Sequence, residues 1–267
     1  MQLFFQKIGQ GPAFIILHGL YGSSDNWITV ARRLANNFTV YLVDLRNHGK
    51  SGHHSSHTFM DMAMDINEVM DHERLDNAIV LGHSMGGKAA MLLTALFPDR
   101  ISKLIIVDIA PVDYAEPGKS SPHLMSHLNI INTMLSINMD LVTSRMEIEQ
   151  MLETKIPDMA TRMFIMKNVQ RNHDNAYSWK LNLKTLLNAL PGLMGSVELD
   201  PLMQKTFNAA PVLFIKGERS DYILDKYIPE IHRYFPDAQI ISIPNAGHWI
   251  HAEQPELFIQ TLIKFVN

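Results

Sequence analysis

Residues 78–91 read AIVLGHSMGGKAAM: four apolar residues, then Gly82-His83-Ser84-Met85-Gly86, then a helix-like run. Four consecutive apolar positions suit a strand buried on both faces. A strand that only had to turn into a helix would do so with many residue types. The Gly82-x-Ser84-x-Gly86 spacing instead points to a bend too sharp for neighbours with side chains, with the serine hydroxyl held up at the carboxyl end of the strand. Met85 begins the helix, so its N–H has no intrahelical acceptor and is available to an anion. A glycine-rich strand–helix joint without chemistry is written with the same letters. The remainder of the chain separates the two readings.

On either side of this stretch the same grammar repeats. Apolar, β-branched runs recur at 13–17 (AFIIL), 39–43 (TVYLV), 78–81 (AIVL), 103–107 (KLIIV), 211–215 (PVLFI) and 239–243 (QIISI). Helical patterns alternate with them at 26–35, 58–71, 86–97, 224–234 and 254–266. Pro98 follows the third of these, and Pro255 sits near the start of the last. The alternation predicts an α/β fold: a mostly parallel central sheet with right-handed crossovers and helices on both faces. LFFQKIG near the start predicts an extra edge strand. The rhythm breaks at 112–208, which is helical by pattern, with no convincing strand, and holds ten of the 17 methionines. It falls between two predicted strands. The expected organisation is therefore a core of 1–111 and 209–267 with a helical cap, 112–208, inserted into it.

Composition narrows the function. The 267 residues carry a net charge of −4 with both signs interspersed, which argues against a nucleic-acid partner or an anionic membrane surface. There is no cysteine, so disulfides, thiolate metal sites and a cysteine nucleophile are excluded. MQLFFQKIGQGP has no charged stretch followed by an apolar one, and no apolar run is long enough to span a bilayer. A cytoplasmic protein is expected. Oligomeric state is not legible.

A serine hydroxyl needs a base. His248, in IPNAGHWIHAE after the last strand, would stand at the same sheet edge as Ser84. His251 is its rival, three residues on. The base needs a carboxylate to orient it. Asp108 closes the strand KLIIVDIAP, where the sheet fixes its position; Asp221, in FIKGERSDY, lies on a looser loop. Asp108 is preferred and Asp221 is the alternative acid. Ser220 would hydrogen-bond the histidine or the acid, or be a turn serine only. An oxyanion needs two donors, and the N–H groups of Met85 and of Leu20, in the loop HGLYG, are the candidates. His48, His53, His54 and His57 in HGKSGHHSSH read as a solvated polar loop rather than a metal site, because they have no helical i, i+4 pair and no acidic partner set.

With these residues placed, the sequence resembles the α/β-hydrolase superfamily over nearly its whole length. HGLYGSSDNW, VDLRNHGKS and GHSMGGKAAM recur with variation across it. VDIAPVDY is narrower, and is similar to a group of bacterial esterases and mitochondrial abhydrolase-domain proteins. The resemblance implies an esterase or thioesterase acting on small acyl esters, acyl-CoA among them, without a cofactor. It also places the acid at Asp108 and implies that Ser220 joins Ser84, Asp108 and His248. Many members carry the acid after the later strand, which keeps Asp221 open. Other chemistries of the same scaffold (carbon–carbon hydrolase, lyase, peptidase) and a non-catalytic binding module are the alternatives. Methionines and leucines of the insertion are candidates to line an acyl groove, although most are expected to pack helix on core.

Overall fold

Each apolar run becomes a strand. In the computed structural model, which describes residues 1–115, 121–172, 174, 176–197, 199, 207 and 209–267, the strands are β1 (Phe5–Ile8), β2 (Ala13–Leu17), β3 (Thr39–Val43), β4 (Ala78–His83), β5 (Ile101–Val107), β6 (Val169–Arg171), β7 (Tyr177–Trp179), β8 (Val212–Gly217) and β9 (Gln239–Ile243). Seven form one sheet, in the order β1-β3-β2-β4-β5-β8-β9. The edge strand β1 runs antiparallel to β3, and every other pair in this sheet is parallel.

Alternate residues of each strand serve different faces. Phe14 and Ile16 of β2 pack with α1 (Ile28–Leu34) and α10 (Pro255–Val266), whereas Ile15 and Leu17 pack with α2 (Phe59–His72) and α3 (Met85–Leu96). The sequence of α2 shows why it is a helix. Thr58 caps it, accepting from the Asp61 N–H at 3.1 Å, and Met62, Ile66, Val69 and Met70 bury one stripe. Burying each of these contributes about 1.5–3 kcal/mol, so a charge at Ile66 would undo the packing.

The strand order reverses at β2: the chain steps outward to β3, then back across β2 to β4. Such a switch opens a crevice at the carboxyl ends of the strands. Register makes those ends level. Leu17 lies opposite Gly82, His83 opposite Val107, Val107 opposite Ile215 and Gly217 opposite Ile243. The loops that follow β2, β4, β5, β8 and β9 therefore leave one edge together, and they carry Leu20, Ser84, Asp108, Ser220 and His248.

Between β5 and β8 lie α4 (Pro122–Ser136), α5 (Arg145–Glu153), α6 (Met159–Met166) and α7 (Leu183–Met194). Each begins with a side-chain cap: Ser121, Ser144, Asp158 and Asn182 accept from backbone N–H groups three residues on. The all-helical expectation fails at one place. β6 and β7 pair as an antiparallel hairpin where helices were expected to continue. The expected boundary at Asn208 lies outside the described residues. Buried Lys88 of α3 donates to the carbonyls of Val112 (3.0 Å) and Gly195, and the Tyr114 N–H donates to the Met194 carbonyl at 2.7 Å. After β8 come α8 (Ile228–Tyr234) and, following β9, the short α9 (Ile250–Glu253) before α10. Among the described residues no helix is long and apolar enough to cross a membrane.

Candidate active site

Ser84 sits between β4 and α3 at φ 51°, ψ −118°. A non-glycine residue at positive φ is strained, and the cost, on the order of 1–3 kcal/mol, has to be met by its surroundings. Here the Ser84 N–H donates to the Val107 carbonyl at 3.0 Å, and its carbonyl accepts from Gly87 (2.9 Å) and Lys88 (3.2 Å). The flanking glycines are steric requirements. A Cβ on Gly82 would stand 2.3 Å from the Gly86 carbonyl oxygen, and one on Gly86 would stand 2.6 Å from the Leu17 and His18 oxygens.

Asp108 is fully buried at the end of β5, where its N–H donates to the Ile215 carbonyl at 2.8 Å. Its carboxylate collects three donors. Oδ1 accepts from the Gly217 N–H at 3.0 Å; Oδ2 accepts from the Ser220 hydroxyl and from Nδ1 of His248 at 2.7 Å. A carboxylate only accepts, so this network assigns the proton to Nδ1 and leaves the Nε2 lone pair open. Asp221, by contrast, is largely exposed, 3.6 Å from Nε2 of His123. Of the two acids weighed from sequence, Asp108 is the one paired with His248. The rival histidine is also elsewhere. His251 is half-buried, its ring flat against Trp27 with centroids 4.0 Å apart, and desolvation pushes it down to about 3.

Two further residues hold His248, and sequence reasoning passed over both. His83, inside the Gly-x-Ser-x-Gly stretch itself, donates from Nε2 to the His248 carbonyl at 2.9 Å; burial holds it well below the ordinary histidine range. Tyr222 stacks on the His248 ring at 4.0 Å and 23°. The signal for His83 was its place in the motif. For Tyr222 there was only its spacing, two residues after Ser220.

The loop after β2 is braced by buried histidines. His18 Nε2 accepts from the Leu45 N–H at 2.9 Å, and His48 Nε2 accepts from the Tyr21 N–H at 3.2 Å. Each then donates from Nδ1 to a carbonyl, Gly19 at 2.8 Å and Arg46 at 2.9 Å. Burial lowers His18 to about 4 and His48 to about 3, so both are neutral near pH 7. With the Tyr21 amide occupied, the neighbouring Leu20 N–H has no acceptor among the described residues. His57 is buried too. Its Nδ1 accepts from Asn47 Nδ2 at 3.3 Å, its Nε2 meets Sδ of Met85 at 3.4 Å, and burial lowers it to about 3. The expectation of a solvated loop therefore holds for His53 and His54, which are exposed, and fails for His48 and His57.

Ser84 and His248 face one cavity of about 370 Å³. Leu20 and Tyr222 from the core, Ile130 of α4 and Phe164 of α6 form much of its wall. No described methionine of the insertion lines it. Met125, Met146, Met151, Met159 and Met163 are exposed, while Met134, Met166 and Met194 are buried in packing. The methionine groove is thus corrected: isoleucine and aromatic rings supply the apolar wall. Among the described lining residues Asp221 is the one carboxylate, and there is no lysine or arginine.

A family model described as alpha/beta hydrolase fold matches residues 12–255, and the chain belongs to that family. It is 32% identical to Esterase YbfF of Escherichia coli, over 95% of this chain and 92% of that one. It is 33% identical to an sn-1-specific diacylglycerol lipase, ABHD11 of Danio rerio, over 98% of this chain and 81% of that one. Among solved structures a marine microorganism esterase superposes with a TM-score of 0.94 at 44% identity, covering 99% of both chains.

Proposed function

We propose that this protein is a serine esterase that hydrolyses small acyl esters through an acyl-enzyme. The observation that carries the reading is the Asp108 Oδ2–His248 Nδ1 contact of 2.7 Å, beside a strained Ser84 on the same cavity. Ser84 Oγ attacks the acyl carbonyl while His248 Nε2 takes its proton. Asp108 stabilises the imidazolium that results. The Leu20 and Met85 N–H groups bind the oxyanion, and Met85 adds the positive end of α3. His248 then returns the proton to the leaving alcohol or thiol. Water, deprotonated by the same nitrogen, releases the acid. Ser220 donates to the same oxygen, Oδ2, that holds His248, and the Gly217 N–H anchors the other. The stretch 112–208 serves as the cap, since α4 and α6 wall the cavity.

Esters of neutral alcohols are favoured over acyl-CoA, because the described cavity wall offers Asp221 and no cation to a phosphate-bearing leaving group. The test is labelling with a fluorophosphonate probe, paired with a panel of p-nitrophenyl esters and acyl-CoA thioesters. Ser84→Ala is expected to abolish labelling and to lower kcat by a factor of about 10³ or more. Turnover near that of the parent would remove the serine from the mechanism, and a parent protein that resists the probe would favour a binding module.

A further inference from the structure

A single hydrogen bond fixes one point of an imidazole. The 2.7 Å contact to Asp108 leaves the His248 ring free to pivot about the Nδ1···Oδ2 line, and its side chain is 24% exposed on the cavity side. A flat surface against the ring is what stops that pivot. We propose that Tyr222 is the positioning residue that supplies it. This rests on the esterase reading above, and it gives Tyr222 a role exerted through His248.

The geometry is specific. The Tyr222 and His248 rings lie 4.0 Å apart at 23°, closer and flatter than the 4.7 Å, 40° contact that His83 makes with His248. Tyr222 is itself held at every polar group. Its N–H donates to Ser220 Oγ at 3.3 Å. Its carbonyl accepts from the Tyr114 hydroxyl at 2.5 Å, and that hydroxyl accepts from the Ala110 N–H at 2.9 Å. Both ties run to residues around Asp108, so the phenol backbone and the acid are set by one network. The ring is fixed from the insertion. His123 of α4 packs against it, tilted by 40° at 4.3 Å, and the Tyr222 hydroxyl meets Nε2 of His127 at 3.3 Å. A rigid plate thus stands beside a ring that would otherwise turn, and orientation is what general-base catalysis is sensitive to.

The experiment compares Tyr222→Ala, Tyr222→Leu and Tyr222→Phe with the parent in ester turnover and by proton NMR of the low-field Nδ1–H of His248. Tyr222→Ala is expected to lower kcat about 10²-fold with KM within about threefold, as for a misplaced catalytic group, and to broaden the Nδ1–H resonance through mobility. Tyr222→Phe keeps the plate and is expected to recover kcat to within about fivefold and to keep the resonance. Tyr222→Leu fills most of the volume without a flat face, so it should behave like alanine, and it carries the test where alanine does not fold. A residue that only packs would lower the melting temperature while kcat per folded molecule and the resonance stay as in the parent; that pattern overturns the proposal. Ser84→Ala and His248→Ala run alongside. Turnover persisting in those two would sink the esterase mechanism itself, whereas their inactivity beside an unimpaired Tyr222→Leu would sink the role of Tyr222 alone.

Discussion

Replacing Asp108 by asparagine keeps the shape of the site and inverts its hydrogen bonding. The carboxylate accepts from three donors: Gly217 N–H, the Ser220 hydroxyl and His248 Nδ1–H. An amide offers one oxygen for these and turns an NH₂ toward the rest. If the NH₂ faces His248, the imidazole must present a lone pair at Nδ1 and carry its proton on Nε2, where it cannot accept one from Ser84. The negative charge that stabilises the imidazolium is also gone, at a site with no solvent to replace it, since Asp108 is fully buried. A loss of up to about 10⁴ in kcat, or about 5.5 kcal/mol at 1.36 kcal/mol per tenfold, is expected. Asp221→Asn is the internal control. Its carboxylate is 68% exposed, and its 3.6 Å partner His123 lies on the insertion, so a change of less than about tenfold is expected. Steady-state hydrolysis of p-nitrophenyl acetate by both variants measures this. A dead Asp221→Asn beside a mild Asp108→Asn would refute the reasoning, because the distances that assign the acid would then have no bearing on the reaction.

Acid should weaken the fold through the histidines that brace the loops. His18 at about 4, and His48 and His57 at about 3, refuse protons that the unfolded chain accepts near 6.5. Their contribution is thus complete above pH 6.5 and is lost as pH falls toward 4, by about 1.4 kcal/mol per histidine per pH unit. Urea unfolding at pH 7.5 and 5 checks this, and equal midpoints would contradict it. On α6, Phe164 lines the cavity and the adjacent Met163 is 49% exposed. Phe164→Ala should therefore raise KM for hexanoyl esters more than for acetyl esters, at about 0.8 kcal/mol per buried CH₂, while Met163→Gln changes neither. Equal effects on both chain lengths would place the acyl group elsewhere. Gly82→Ala, whose Cβ would meet a backbone oxygen at 2.3 Å, should destabilise by about 3 kcal/mol or more in thermal unfolding; a stable variant would mean the elbow has slack.

The strands and the pairing of the acid were readable for the same reason: both are set by the sheet. Strands covered on two faces announce themselves as unbroken apolar runs, and a residue at a strand end inherits the position of the strand. Asp108 was chosen over Asp221 on that ground, and it is Asp108 that meets His248. What was misread lies where partners come from far along the chain. His48 reads as a surface residue by its polarity, yet its Nε2 is taken up by the Tyr21 N–H, 27 residues back, which no local pattern reveals. The hairpin β6–β7 was missed because strands of three residues, VQR and YSW, have no apolar run to display. The methionines of the insertion were considered as groove lining because their chemistry suits it, but helix phase decides which face a side chain takes, and five of them face out.

One ammonium group, that of Lys88, binds the chain where the insertion leaves the sheet, at Val112, and again at Gly195 beyond α7. The two ends of that segment are thereby brought to the same spot, and the entropy of closing it depends only weakly on what lies between. Residues 113–194 are in this sense a graft. They can be lengthened, shortened or exchanged for the corresponding segment of a relative without asking the strands to move, provided the two carbonyls still reach the lysine. Substrate preference can then drift in evolution while the strands stay in place, but a recombination that crosses over at Val112 and Gly195 has to carry Tyr114, His123 and His127 along, because these hold Tyr222 against His248.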